Sequence, residues 1–202
     1  MKITSLTLLF LLNYACLAAQ SDTAFIKFLI NKIRGLQPTG TIYYADVPYP
    51  KTFKHRVQHI KPGIYPGFKN GTVSESLKLT AKESRYIQDE HKKNLHKPFP
   101  DSLFENSCRI RSDSIIPFVD KLNLQIMDSV IKLSNPSGTN VWQLGLMRWS
   151  FLFSRPIYLR NKTILVHYFM NYTLSSGENS FRFYKWNNNN WERWGVISGG
   201  AW

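Results

Sequence analysis

The chain of 202 residues is short of cysteine, of acidic side chains and of long apolar runs. It has 2 Cys, and 13 Asp and Glu stand against 26 Lys and Arg, which gives a formal net charge of +13. Two cysteines cannot build the disulfide framework on which small secreted scaffolds depend. The basic balance favours anionic partners, such as nucleic acid, lipid headgroups or acidic polysaccharides.

Apolar runs are confined to the N-terminus. Met1 and Lys2 give a positive start, Ile3 to Leu12 is mostly apolar, and small residues follow up to Ala18 and Ala19. This layout is typical of a secretory signal peptide, and it is shorter than the about 20 residues that span a bilayer. We therefore predict a signal peptide over residues 1–19. The mature chain is then expected to be exported to the periplasm, the cell surface or the medium, without a transmembrane helix.

The two cysteines, Cys16 and Cys108, have different expected fates. Cleavage after residue 18 or 19 removes Cys16 and leaves Cys108 as a single thiol, so that no intramolecular disulfide can form. However, Cys16 stands where a bacterial lipoprotein would be cleaved and acylated, although Asn13 occupies the position where such signals usually carry Leu. Both alternatives, removal and lipidation of Cys16, remain open.

The motifs of common hydrolases and metalloenzymes are also missing from the sequence. It contains no G-x-S-x-G, no H-E-x-x-H and no phosphate-binding glycine loop. His55 and His59 have the spacing of zinc ligands on a helix, but nearby prolines disfavour a helix there. Beyond Asn135 the only acids are Glu178 and Glu192, which could form a glycosidase pair only if they were close in space. We predict no catalytic residues, no metal and no cofactor.

The segment from Asp46 to Gly71 is the most basic part of the chain. It contains four prolines, and from Lys51 onwards it carries five cations and no acid. Proline at this density predicts mostly loop, with room for a short strand near Phe53 to Ile60. Cations interleaved with rings are typical of surfaces that contact phosphates or stack bases, although a solvated basic loop has the same composition. The candidate ligand-binding residues are Tyr49, Lys51, Phe53, Lys54, Arg56, Lys61 and Tyr65.

Three segments have the periodicity of amphipathic helices. The first, Asp22 to Gly35, has an apolar stripe at helical spacing. The second begins at Thr80, which forms a capping box with Glu83, and is expected to end near residue 95. The third lies within Asp113 to Leu133.

After residue 140 the pattern changes to period-two runs that are rich in aromatic and branched residues. Turn compositions separate these runs at residues 160–163, 175–179 and 187–190, and Pro156 is expected at a strand edge or break. The sequence therefore predicts a single α+β domain over residues 20–202. Its helical and loop part, 20–135, would pack on one face of an antiparallel meander of about four strands in 136–202.

The last 22 residues, FRFYKWNNNNWERWGVISGGAW, contain four Trp and four consecutive Asn. Alternation on both sides of the Asn run predicts a hairpin in which Phe181 and Phe183 face one way, with Tyr184 and Trp186 facing the other. More rings are present than one buried face requires. An exposed aromatic cluster that grips a ligand is therefore a second hypothesis, with candidate residues Tyr184, Trp186, Trp191 and Trp194.

Three stretches occur in an order that resembles a known group: LKLTAKESRYIQ from Leu77, PDSLFENSCRI from Pro100 and FSRPIYLRNKTILVHYF from Phe153. The chain is similar, over about Leu77 to Trp202, to small secreted proteins and lipoproteins of Bacteroidota-type bacteria whose function is uncharacterised. Many of them carry a cysteine pair in a Gly-rich turn between the later strands. This sequence has NYTLSSGEN there, so the resemblance implies no disulfide. It implies export and fold, and no activity.

These observations predict an exported, non-enzymatic binding or structural protein of the bacterial envelope. The basic aromatic segment would contact an anionic polysaccharide or a lipid headgroup, and export argues against a dedicated nucleic-acid role. A protein partner, as for an immunity-type protein, is another expectation. The alternative is a hydrolase-type enzyme with a composite pocket between helices and sheet, in which His167, Glu178 or Glu192 would converge.

Overall fold

The computed structural model describes residues 24–46, 57, 60–69, 72–94, 97–99, 105–133, 146–174, 176–188 and 190–201. Three long helices and nine strands lie in these residues. In chain order they are α1 (24–36), β1 (Ile42–Ala45), β2 (Gly63–Lys69), β3 (Thr72–Leu79), α2 (Ala81–Asn94), β4 (Ser107–Arg109), α3 (Ile115–Leu133), β5 (Ser150–Phe153), β6 (Ile157–Leu159), β7 (Ile164–Thr173), β8 (Ser176–Asn187) and β9 (Asn190–Ala201). None of the helices in the described ranges is long and apolar enough to cross a membrane.

The strands form one mixed sheet in the order β3-β2-β9-β8-β7-β5-β1-β4, and β6 pairs with β7 beyond the end of β5. β1 is parallel to both β4 and β5, and the other pairs are antiparallel. The α+β class is confirmed. The prediction of a four-strand meander is wrong, because β1 to β4 come from the part of the chain that was expected to be helix and loop.

The missed strands are short or contain residues that strands usually avoid. β1 has four residues, and β2 contains Pro66 and two glycines. The register between β2 and β3 shifts between Tyr65 and Gly67, so Pro66 sits at an irregularity where its missing N–H breaks no regular ladder. Of the residues considered for a short strand, Phe53 to Ile60, the structure describes Val57, which is helical, and Ile60, which is not in a strand.

All three predicted helices are present. In the capping box of α2, the main-chain N–H of Thr80 donates to Glu83 Oε2 at 2.9 Å, and the N–H of Glu83 donates to Thr80 Oγ1 at 3.2 Å. Pro117 lies in the first turn of α3, where a helix needs no donor, so this proline does not delay the helix.

The helices cover both faces of the sheet rather than one, which corrects the expectation of a single covered face. Along β7, Ile164 and Val166 belong to the core cluster that contains Ile87 of α2. Leu165 belongs instead to the cluster that contains Phe25 of α1, together with the other large rings on that face. α3 packs through Ile115 and Val119 against β1 and β5. We refer to the two sides of the sheet as the α1 face and the α2 face.

Two details of the C-terminal sheet are confirmed. Pro156 lies in the gap between β5 and β6, which pair with different halves of β7. β8 and β9 form the expected hairpin, in which Asn187 pairs with Asn190. Asn188 has φ 45°, the left-handed conformation that the tight hairpin turns require and that Asn tolerates better than most residues.

Candidate functional site

The predicted basic aromatic segment is only partly within the described residues. Tyr49, Lys51, Phe53, Lys54 and Arg56 lie outside them, as do His55, His59 and Cys16. Lys61 is exposed. Tyr65 is half-buried, its hydroxyl donates to the Lys61 carbonyl at 2.8 Å, and its ring packs edge-on against Phe183 at 5.4 Å between centroids. Tyr65 therefore packs against the core of the α2 face, and burial raises its pKa.

The described end of this segment is fastened to helix α2. Val57 and Ile60 are buried in the core of the α2 face. The Ser84 hydroxyl donates to the Ile60 carbonyl, and the Gln88 side-chain amide donates to the same oxygen at 3.0 Å. The chain consequently leaves the core at Lys61 beside α2.

The exposed side of α2 continues this positive region. Lys82 and Arg85 are exposed and line a shallow depression of about 370 Å³ together with Ala81, Tyr86 and Asp89. Acids on this helix have cationic neighbours one turn away: Asp89 lies 3.9 Å from Lys92, and Glu90 lies 2.7 Å from Lys93. We call Lys61, Lys82 and Arg85 the basic surface.

Acidic side chains in other parts of the described chain also form ion pairs with Lys or Arg of the same protein. Glu83 and Arg160 are joined at 2.7 Å, Glu75 and Lys185 at 2.7 Å, and Asp46 and Arg109 at 3.3 Å. Because these carboxylates are matched internally, the excess of positive charge is carried by the remaining Lys and Arg side chains at the surface.

The predicted aromatic cluster is mostly inside the protein. Tyr184, Trp191 and Trp194 are buried, and Trp186 is half-buried. Trp186 and Trp191 contact each other edge-on at 4.9 Å between centroids, whereas Trp194 lies on the α2 face and donates from Nε1 to the Glu75 carbonyl at 2.7 Å. The rings therefore belong to two different cores.

The orientations predicted for this hairpin are confirmed. Phe181 and Phe183 pack in the core of the α2 face, and Tyr184 and Trp186 in that of the α1 face. The backbone alternation of β8 accounts for this division.

A second group of polar residues lies on the α1 face, where β7 and β8 pair. In this register His167 is opposite Arg182, Phe169 is opposite Ser180, and Asn171 is opposite Glu178. Residues that are opposite each other in an antiparallel pair point to the same side, with Cβ atoms about 4.5–5.5 Å apart. We call His167, Asn171, Glu178, Ser180 and Arg182 the polar strip.

The members of the polar strip differ in burial. The side chain of Glu178 is 36% exposed and that of Arg182 15% exposed, and Arg182 Nη2 lies 3.3 Å from Glu178 Oε2. Ser180, Asn171 and His167 are buried, and His167 is completely inaccessible. The strip therefore reaches solvent through Glu178 and Arg182, and His167 is its most buried member.

His167 lies among aromatic rings. Its ring centroid is 5.0 Å from that of Phe25 of α1, 6.3 Å from that of Phe169 and 6.4 Å from that of Tyr184. Burial first, and the Lys32 charge second, hold the pKa of His167 well below its usual value. The nearby main chain of Ser154 raises the pKa of His167 against these two effects. Within the described ranges, neither ring nitrogen makes a hydrogen bond of acceptable geometry.

Lys32 of α1 brings an ammonium group to the middle of the polar strip. Its Nζ lies 3.5 Å from the centroid of Phe169 and 3.5 Å from Tyr184 Oη. Burial, and then the charge of Arg182, lower the pKa of Lys32 to about 7. Burial raises the pKa of Tyr184 to about 12. Glu178 raises the pKa of Lys32, and Arg193, which is opposite Tyr184 on β9, lowers it further, so three basic side chains and one carboxylate act in this region.

Sequence reasoning named His167 and Glu178 but missed Lys32, Ser180 and Arg182. A signal for Lys32 existed, because it lies seven residues after Phe25 and four after Phe28, on the core-facing stripe of α1. The partners on β8 could be found only from the strand register, which periodicity does not specify.

The glycosidase pair that the sequence left open is not formed. Glu178 is on the α1 face, opposite Asn171, whereas Glu192 is opposite Lys185, which shares the α2 face with Ile164. Seven residues of β8 separate the two positions, which at about 3.3 Å per residue amounts to about 23 Å. A glycosidase pair requires about 5–9.5 Å.

No group of three or more His, Cys, Asp and Glu side chains that could hold a metal is found among the described residues. Cys108 is exposed on β4.

Comparison with known proteins gives no family. No protein-family model, no curated protein and no solved structure matches the chain. The resemblance to secreted Bacteroidota-type proteins therefore stays a prediction.

Proposed function

We propose that the protein is an exported, non-enzymatic binding or structural protein of the bacterial envelope that contacts an anionic polymer. The observation that carries the proposal is the fastening of the basic segment to α2. Ser84 and Gln88 hold the Ile60 carbonyl, so the exposed Lys61 that follows it in the sequence lies beside α2, on which Lys82 and Arg85 are also exposed.

Charge supports the same conclusion. The net charge is +13, and the acids of α2 have cationic neighbours of their own one turn away. Exposed Lys and Arg attract polyanions because many weak contacts act together and release counterions, which makes such binding fall steeply with salt. The predicted signal peptide over residues 1–19 places the partner outside the cytoplasm, which favours an acidic polysaccharide or a lipid headgroup.

The test is retention on immobilised heparin and co-sedimentation with anionic vesicles across a range of NaCl concentrations. We expect the triple variant Lys61→Gln, Lys82→Gln, Arg85→Gln to elute at clearly lower salt than the unmodified protein. Adding Lys51→Gln, Lys54→Gln and Arg56→Gln should lower it further. Stronger binding to heparin than to vesicles identifies a polymer rather than a membrane surface.

A matched control removes three exposed cations from other places. The variant Lys27→Gln, Lys97→Gln, Lys121→Gln has the same net charge as the first triple variant, and all three side chains are exposed. Equal elution of the two triple variants, or binding that does not respond to salt, contradicts the proposal.

A further inference from the structure

The polar strip contains a concentration of buried polar atoms that have no hydrogen-bond partner. Within the part of the chain that the structure describes, both ring nitrogens of His167, Arg182 Nε, Ser180 Oγ and Asn171 Oδ1 make no hydrogen bond of acceptable geometry, although the main chain of Ser154 lies close enough to His167 to raise its pKa. Each such group costs about 1–3 kcal/mol when it is buried without a partner. Buried polar groups in folded proteins are nearly always satisfied, so a cluster of this kind calls for a partner that the protein chain does not supply.

The chemistry of these atoms defines the partner. Arg182 Nε can only donate, and Ser180 and His167 can donate as well. Lys32 adds an ammonium group above Phe169, which is the residue opposite Ser180. Asn171 Oδ1 can only accept, and neutral His167 has one donor and one acceptor nitrogen. A partner with acceptor oxygens satisfies Arg182, Ser180 and the donor nitrogen of His167, and Arg182 and the charged form of Lys32 favour a negative charge on it.

Arg182 interacts with two neighbours, Glu178 and Tyr184, and has one N–H to spare. Its Nη2 contacts Glu178 at 3.3 Å, whereas Nε is buried and has no partner. Guanidinium groups bind carboxylates and phosphates through pairs of parallel hydrogen bonds, and such charge-assisted bonds are about twice as strong as neutral ones. Arg182 therefore keeps its Nε–H, on the same edge of the guanidinium as the Nη2 that contacts Glu178, for an acceptor oxygen of a second group.

We propose that the polar strip is a binding site for a small oxyanion group, a carboxylate or a phosphate, held by Lys32, Arg182 and Ser180 with His167 at its inner end. The group enters at the partly exposed Glu178 end. The site is on the α1 face and is separate from the basic surface on α2, so it stands or falls independently of the proposed function.

The low pKa of Lys32, about 7, has a role in this site. An anion beside the ammonium group offsets the cost of burial and favours the charged form of Lys32. Binding should therefore take up protons near pH 8, where the free protein holds Lys32 mostly neutral.

The experiment measures thermal unfolding and calorimetric binding of the full chain with sodium acetate and, separately, sodium phosphate, against NaCl at the same ionic strength. We expect a saturable rise in Tm with at least one of the two anions, and the two arms distinguish a carboxylate from a phosphate site. Lys32→Met and Arg182→Gln should weaken the apparent affinity at least about tenfold. Lys185→Gln is the control, because Lys185 is on the same strand but pairs with Glu75 on the other face.

An NMR titration keeps the proposal testable if Arg182→Gln fails to fold. The ring nitrogens of His167, assigned with a His167→Phe variant, should shift on addition of the anion to the unmodified protein and to Lys185→Gln, but not to Lys32→Met. Absence of saturation with both anions overturns the proposal and leaves buried water as the partner of the strip. Equal affinity of Lys32→Met and Lys185→Gln overturns it as well.

Discussion

Replacing Glu83 by Gln tests how the start of α2 is joined to the sheet. The Glu83 carboxylate accepts from the N–H and from the hydroxyl of Thr80, both at 2.9 Å, and from Arg160 Nε at 2.7 Å and Nη2 at 3.2 Å. Arg160 Nη2 also donates to the Lys78 carbonyl at 2.6 Å. One carboxylate thus joins the cap of α2, the end of β3 and the turn between β6 and β7.

The loss of unfolding free energy expected for Glu83→Gln follows from the pKa of Glu83 and from the solvent exposure of the ion pair. Hydrogen bonding to Arg160 is the main cause that lowers this pKa from 4.5 to about 2. At about 1.4 kcal/mol per pH unit the shift sets a ceiling of about 3.4 kcal/mol. The side chains of Arg160 and Glu83 are 41% and 19% exposed, so solvent screening reduces the contribution of the ion pair. The hydrogen bonds from Thr80 are already part of this shift, and after solvent screening we expect a loss of about 2 kcal/mol.

The assay is urea unfolding of the unmodified protein and of Glu83→Gln at pH 7 and at pH 3. A thermal scan at pH 7 beside the urea titration should show Tm lowered by about 4–8 °C, which corresponds to about 2 kcal/mol for a chain of this size. Because the pKa is lowered in the folded state, the stability that Glu83 contributes is complete above pH 4.5 and is lost as the pH falls towards 2. The difference between the two proteins should therefore shrink at pH 3.

Glu75→Gln is the control, because Glu75 forms an ion pair of the same length, 2.7 Å, with Lys185 but is 67% exposed. It should cost less than about 0.5 kcal/mol. The reasoning is refuted if Glu83→Gln loses no more stability than Glu75→Gln, or if its difference from the unmodified protein is the same at both pH values.

Two further predictions concern single positions. Burial lowers the pKa of His91 to about 4, so the folded protein loses stability as the pH falls from 6.5 towards 4. In urea titrations of the unmodified protein and of His91→Leu, the drop in unfolding free energy between pH 7 and pH 4.5 should be about 2.5 kcal/mol smaller for the variant. An equal drop in the two proteins would contradict this. Gly67 lies so close to Glu75 that a Cβ would overlap its carbonyl oxygen and come within 2.8 Å of Trp194 Nε1. In thermal unfolding, Gly67→Ala should therefore lower the free energy of unfolding by about 3 kcal/mol. Gly63→Ala is the control, because nothing lies within 4 Å of the added Cβ. Equal losses in the two variants would refute the overlap argument.

The parts of the fold that could be predicted are those whose signal is local. The capping box at Thr80 and the alternation along β7 and β8 each occupy a few consecutive residues, and both are found in the structure as expected. β1 could not be predicted in the same way, because four residues give too short a pattern and their place is fixed by partners far along the chain.

In the candidate sites too, some residues have a local sequence signal, whereas others are identified only by contacts between distant parts of the chain. Lys61 and Tyr65 were named from composition, but the structure shows that Tyr65 packs on Phe183, a contact that joins distant strands. The polar strip depends on a register that places His167 beside Arg182 and on a helix that brings Lys32 over both strands. Sequence patterns indicate which side of a strand a residue occupies, but not which residue of the next strand it meets.

The position of β1 has a consequence for how the chain folds. Tyr43 pairs with Cys108 on one side and with Ser150 on the other, more than 100 residues later. Closing loops of that length is slow, and neighbours that are parallel cannot form as a hairpin. β1 therefore has no second partner until β5 has been synthesised. Its insertion between β4 and β5 should be a late folding step that joins the N-terminal and C-terminal strands of the sheet into one cooperative unit.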